Sequence, residues 1–283
     1  MKFANLTVNG RLRAALVVEE GYALLPDGMP ESVDEIVAGG EEMLRVLSAI
    51  DPKWLEVVSP KRAQFAPAVA AGRKLLMVGV NYGLHAAECG QECLPHPVIF
   101  GKFSNALAPS GGTVHPPLWC EELDFEAELV AIVGKTCKNV SPEEAEEYLF
   151  GYTVGNDLSA RDLQFRTSQW CQGKTCDGFA PVGPTVVTKD EVDAGNLPIS
   201  TRVNGEVRQE SNTSDMLRDV NQLVSYLSSV MTLEAGDAIF TGTPAGVALG
   251  EPEGERRYLK TGDVVEVSLG GVCTCVTVIG EKR

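Results

Sequence analysis

Two glutamates offer the clearest chemistry in this chain. Glu126 and Glu128 lie in Leu123-Asp124-Phe125-Glu126-Ala127-Glu128-Leu129-Val130-Ala131-Ile132-Val133, a branched and aromatic run that ends at Gly134. Such a run predicts a β-strand, on which residues i and i+2 share a face. The two carboxylates then project together, about 7 Å apart along the chain. Two like charges on one face of an apolar strand are costly unless something positive sits between them. A hard divalent cation such as Mg²⁺ or Mn²⁺, which prefers oxygen ligands, meets that need. The competing reading is a solvated acidic edge, because Glu121, Glu122 and Asp124 stand just before.

Other candidates are scattered along the chain. Asp157 closes the strand-like run Tyr148 to Asn156, either as a turn residue or as a third carboxylate of an oxygen site. Arg161 and Gln164 have helical i, i+3 spacing, a rigid fork beside a neutral amide. Lys174 sits in a Gly- and Pro-punctuated loop, either as a solvated charge or as a cation for a developing enolate. His85 and Glu88 are three apart, so on a helical turn they can touch, and a carboxylate beside an imidazole suits a general base. The alternative is an ordinary surface helix. Only three histidines exist, and His96 and His115 lie beside prolines in loops. The Thr241-Gly242-Thr243-Pro244-Ala245-Gly246 stretch presents amides and hydroxyls to an anion, without P-loop spacing.

The elements that must position these residues are partly legible. Asn9-Gly10 and Asn204-Gly205, each between alternating runs, predict hairpins. Ser32 caps one or two helices reaching Ile50, with a break at Gly39-Gly40. Residues 1–70 read as a small α+β packing or dimerisation unit, and 71–283 as the catalytic unit, beginning with a strand at Leu75 to Val80. Ser141-Pro142-Glu143-Glu144 predicts a helix start. Ser214-Asp215 predicts another, with Leu217, Val220, Leu223, Val224 and Leu227 as its core stripe. The last third is β-rich.

With 283 residues, 44% hydrophobic and 22% charged, the composition is that of a globular enzyme. A net charge of −15 argues against a nucleic-acid partner. No apolar run is long enough to span a bilayer and no signal-peptide pattern opens the chain, so the expectation is a cytoplasmic protein. The eight cysteines are expected as free thiols; Cys89 and Cys93 could share a helix face, but spacing indicates no further soft ligands.

From Leu75 onward the motifs taken in series resemble the fumarylacetoacetate hydrolase family. They are Val78-Gly79-Val80-Asn81-Tyr82 with His85 and Glu88; Asp124-Phe125-Glu126-Ala127-Glu128-Leu129; Gly155-Asn156-Asp157-Leu158-Ser159-Ala160-Arg161-Asp162; Lys174 with Asp177 and Phe179; and Thr241-Gly242-Thr243-Pro244-Ala245-Gly246-Val247. The resemblance implies a mixed, β-rich fold, a β-sandwich roll or barrel with a few helices, in a homodimer. It implies Mg²⁺ or Mn²⁺ on Glu126, Glu128 and Asp157, and a catalytic His85–Glu88 dyad with Lys174. It also implies substrate contacts from Arg161, Gln164, Lys174 and Thr243. The expected activity is hydrolysis of the C–C bond of a 1,3-diketo acid of the acylpyruvate type. The same oxo-acid site would support oxaloacetate decarboxylation, or dehydration or isomerisation of a 2-oxo-3-deoxy acid. A metal- or metabolite-binding module without turnover is the non-enzymatic alternative.

Overall fold

The strand Ala127–Val133 is buried on both faces, and the fold is layered around it. Leu129, Ala131 and Val133 pack into one core, while Val130 and Ile132 pack into a second on the other side. The computed structural model describes residues 1–70, 72–92 and 94–283. Among these, Ala127–Val133 pairs antiparallel with Leu149–Asn156 and with Ala238–Phe240 inside a 12-stranded sheet. Leu75–Gly79 runs parallel to Ala238–Phe240, and Val98–Lys102 closes that end.

A five-stranded sheet made from Pro198–Val203, Glu206–Asn212, Val264–Leu269, Cys273–Ile279 and Gly112–Val114 covers one face. Ile199, Val265, Val267 and Cys275 fill the space between the sheets, joined by Leu223, Val224 and Leu227 of the helix Val220–Val230. The sandwich expected from sequence is present. The barrel alternative is not, because the long sheet is open, running from Val57–Val58 at one edge to Val98–Lys102 at the other.

The N-terminal 70 residues supply Lys2–Val8, Arg11–Val18, Gly21–Leu24 and Val57–Val58, which extend the large sheet where Lys2–Val8 pairs with Thr185–Thr188. The helix Val33–Ser48 covers them, and Phe3, Ile36 and Val37 share a core with Val130 and Ile132. Ser32 caps that helix by accepting from the Glu35 N–H, and Gly40 at φ 55° interrupts it. Both Asn-Gly hairpins form, with φ of 51° and 74° at Asn9-Gly10 and 53° and 83° at Asn204-Gly205, as a type I′ turn requires.

Three local expectations change. The acidic strand is broken into Leu123–Asp124 and Ala127–Val133, because Asp124 turns its carboxylate onto the Phe125 N–H and its strand pairs with Ser159–Ala160 instead. Ser141 does start a turn, with Glu144 accepting from it, but only the 3₁₀ segment Ala145–Tyr148 follows before the next strand. The cap of Val220–Val230 is Asp219 in a capping box with Gln222, so Leu217 lies outside the helix and is exposed. No helix among the described residues is long and apolar enough to cross a membrane.

Candidate active site

Two neighbouring strands bring the acids together. Ala127 pairs with Asn156 and Glu128 with Gly155, so the start of one strand meets the end of the other. The Asp157 N–H donates to the Glu126 carbonyl, and the Glu126 N–H donates to Asn156 Oδ1 at 3.0 Å. Glu126 therefore sits in the strand break, Glu128 on the strand, and Asp157 opposite. All three are buried, with carboxylate oxygens within 4.8 Å of one another.

Three buried cations surround them. Lys174 Nζ donates to Glu126 Oε2 at 2.7 Å and to Asp157 Oδ2 at 2.9 Å. Arg161 Nη2 lies 2.7 Å from Glu126 Oε1, while its Nε donates to Asp124 and its Nη1 to Gln164, each at 2.9 Å. Lys102 Nζ lies 2.5 Å from Asp157 Oδ1 and also donates to the Leu158 and Phe179 carbonyls.

Burial opposes the charge on Glu126, but Lys174, Arg161 and His85 together hold its carboxyl well below the ordinary range. Glu128 goes the other way. Burial, then Asp157 and Glu126, raise it well above a normal carboxylate, despite the Gly242 N–H that donates to its Oε2 at 2.8 Å. A divalent cation fits this donor set: three hard oxygen donors within reach, one of them with its charge poorly compensated by protein groups.

His85 and Glu88 lie on the short helix Gly83–Glu88, and the dyad is formed. His85 Nδ1 donates to Glu88 Oε1 at 2.8 Å, which leaves Nε2 as the nitrogen for proton exchange. The Gly246 N–H donates to Glu88 Oε2 at 2.9 Å and fixes the carboxylate. Burial favours neutral imidazole, but Cys89, Glu88 and Glu126 outweigh it and raise His85 to about 9. The strand Leu75–Gly79 before this helix stops one residue short of the expected Val80, which has φ 58°, a left-handed conformation that a β-branched residue adopts only under constraint.

His85, Cys89, Gln91, Glu126, Glu128, Asp157, Arg161, Gln164, Lys174 and Thr243 all line one cleft. Its walls include Phe100 and Trp170, whose rings meet edge to face at 5.5 Å. Every residue expected at the site except Glu88 lines this cleft, and Glu88 touches it through His85. Arg161 differs from expectation in emphasis. Its guanidinium is already engaged with Asp124, Gln164 and Glu126, so it organises the acids as well as facing the cleft.

Asp124, Lys102 and Gln209 are site residues that local pattern misses. Asp124 is fully buried, and besides Arg161 it accepts from the Ala248 and Leu249 N–H groups. Gln209 Nε2 donates to Thr243 Oγ1 at 2.8 Å and to the Pro244 carbonyl, while its Oε1 accepts from Ala127 N–H and Thr201 Oγ1. This orients Thr243 so that its own hydroxyl proton is available to a ligand. Among the described residues the cysteines are free; Cys93 lies outside them.

Residues 74–280 match the family described as fumarylacetoacetate (FAA) hydrolase, C-terminal. The chain belongs to that family. A fumarylacetoacetate hydrolase domain-containing protein 2 homolog of Dictyostelium discoideum is 43% identical over 208 residues, 69% of this chain and 68% of its own. A rat mitochondrial protein named oxaloacetate tautomerase is 35% identical over 243 residues, 85% of this chain and 77% of its own. Among solved structures, a fumarylacetoacetate hydrolase from Exiguobacterium antarcticum superposes with a TM-score of 0.87 at 33% identity, covering all of both chains. A 5-carboxymethyl-2-hydroxymuconate delta-isomerase from Mycobacterium smegmatis gives 0.79 at 30%, again over both whole chains. The family thus spans hydrolases, a tautomerase and isomerases.

Proposed function

We propose that this protein is a divalent-metal enzyme that hydrolyses the C–C bond of an acylpyruvate-type 1,3-diketo acid, giving pyruvate and a carboxylic acid. One observation carries the reading: His85, paired with Glu88 behind it, and three clustered carboxylates line the same cleft. Mg²⁺ or Mn²⁺ held by Glu126, Glu128 and Asp157 would supply a Lewis acid for the developing enolate.

The chain's own groups do the rest. The amide of Gln164, the Thr243 hydroxyl and the remaining Arg161 N–H groups orient the oxo-acid end. Glu88, fixed by Gly246, holds His85 so that neutral Nε2 takes a proton from water. The resulting hydroxide adds to the distal carbonyl. The C–C bond then breaks, its electron pair leaving on the pyruvate carbon as an enolate, and Lys174 stabilises that charge. His85 returns its proton to the carbon. Because neutral imidazole is the base, the rate rises with pH through the His85 pKa.

A second reading is keto–enol tautomerisation of a small 2-oxo acid, which needs the proton transfer but not the water. The name of the rat relative supports it. Incubation in ¹⁸O-water decides between them. Label in a released carboxylic acid supports hydrolysis, whereas decay of enol absorbance without cleavage supports tautomerisation, and CO₂ release points to decarboxylation. Unchanged turnover in His85→Ala rules out both leading readings. We also propose a homodimer, which sedimentation of the purified chain checks.

A further inference from the structure

The dyad has a third member that hydrolysis does not use. Cys89 follows Glu88 at the helix end, and its Sγ lies 3.8 Å from His85 Nδ1. The order His85-x-x-Glu88-Cys89 puts imidazole, carboxylate and thiol on one face, and the His–Cys spacing of four is one at which helices chelate zinc. One ligand atom from each lies within 4.8 Å of the others. His85 is only 8% exposed, and Cys89 is half-buried against the cleft.

We infer that His85, Glu88 and Cys89 form a second metal site, selective for a soft or borderline cation such as Zn²⁺, that switches the enzyme off. The geometry needs little change. Tetrahedral zinc places nitrogen and sulfur ligands roughly 3.5 Å apart and nitrogen and oxygen ligands roughly 3.3 Å apart. The observed separations from Nδ1 are 3.8 Å to sulfur and 2.8 Å to Glu88 Oε1. The carboxylate therefore withdraws by about 0.5 Å while the thiolate closes in.

Zinc here takes the place of the proton shared between His85 and Glu88. Binding at Nδ1 releases the thiol proton to solvent and shifts the imidazole proton from Nδ1 to Nε2, which then has no lone pair left to take a proton from water. Thiolate ligation separates this site from the all-oxygen set at Glu126, Glu128 and Asp157, which has no sulfur to favour zinc over magnesium. The inhibition rests on the dyad being catalytic; the binding does not.

The test uses the full chain at saturating Mg²⁺, titrated with Zn²⁺ for activity and with Co²⁺ for absorbance. The expected result is one inhibitory zinc per chain and a thiolate-to-cobalt charge-transfer band. Cys89→Ser and Cys89→Ala should both lose the band and weaken zinc binding on the order of 100-fold or more. A band that persists in both variants, or zinc that binds both as tightly as the parent, overturns the site. Zinc that binds with the band yet leaves turnover intact upholds the site, overturns its role as a switch and refutes the catalytic role of the dyad.

Discussion

Replacing Lys174 with Met separates two roles that one ammonium plays. Lys174 is 2% exposed and bridges Glu126 and Asp157, two of the three carboxylates proposed for the cation. Removing one partner from a buried ion pair typically costs about 3–5 kcal/mol. Here neither acid is left bare, since Glu126 keeps Arg161 at 2.7 Å and Asp157 keeps Lys102 at 2.5 Å. The loss in metal-free protein should therefore fall at the low end, about 3 kcal/mol, or a drop in Tm of about 5 °C for a chain of this size. Mg²⁺ should recover much of it, because a cation among the same oxygens replaces the missing charge and binds only the folded state. Calorimetry of parent and variant, with and without Mg²⁺, reads both numbers, and kcat should fall roughly 10²–10³-fold as the enolate loses its donor. Abolished Mg²⁺ binding would mean that Lys174 builds the site and does not serve the reaction. An unchanged metal-free Tm would refute the buried ion network itself.

Metal binding should expel a proton from Glu128, whose pKa is raised by burial and by Asp157 and Glu126. Below that raised pKa the metal-free carboxyl keeps its proton, so affinity for Mg²⁺ falls as pH falls through it, and titration calorimetry in two buffers of different ionisation enthalpy counts the protons released. Gln209→Leu should strand the Ala127 N–H and release Thr243, lowering stability by about 1–3 kcal/mol and kcat/KM with it; an unchanged KM would show that Thr243 is positioned by something else. Asp124→Ala should cost about 3–5 kcal/mol by leaving Arg161 short of its buried partner, which urea unfolding measures.

Residues whose chemistry is carried by type and spacing were legible from the chain. His85 with Glu88, and Glu126 with Glu128, are local pairs whose spacing points to a shared site, although Glu126 reaches it from a strand break and not from a regular strand. Asp124, Lys102 and Gln209 were not, because each is defined by partners far along the chain: Ala248, Leu158 and Thr243. A lysine ending the apolar strand Val98–Lys102 was the one local hint. The unbroken strand expected over 123–133 failed for the same reason, since its break depends on the pairing of Leu123–Asp124 with Ser159–Ala160. Asp219 caps the helix in place of Ser214 because Ser214 and Asp215 are taken up in a separate 3₁₀ turn capped by Asn212, a use that the polar run alone does not distinguish.

The segment from Gly242 to Leu249 gives its backbone N–H groups to Glu128, Glu88 and Asp124 in turn. Peptide amides cannot be exchanged by mutation as side chains can. The proton shuttle, the cation cradle and the guanidinium support are thus strung on one thread whose spacing is set by the number of residues in it. Inserting or deleting a single residue there would put all three out of step together, whereas the cleft walls at Phe100 and Trp170 are side chains that can be exchanged one at a time. New substrates in such a scaffold are therefore reached by rewriting the walls and leaving the thread alone.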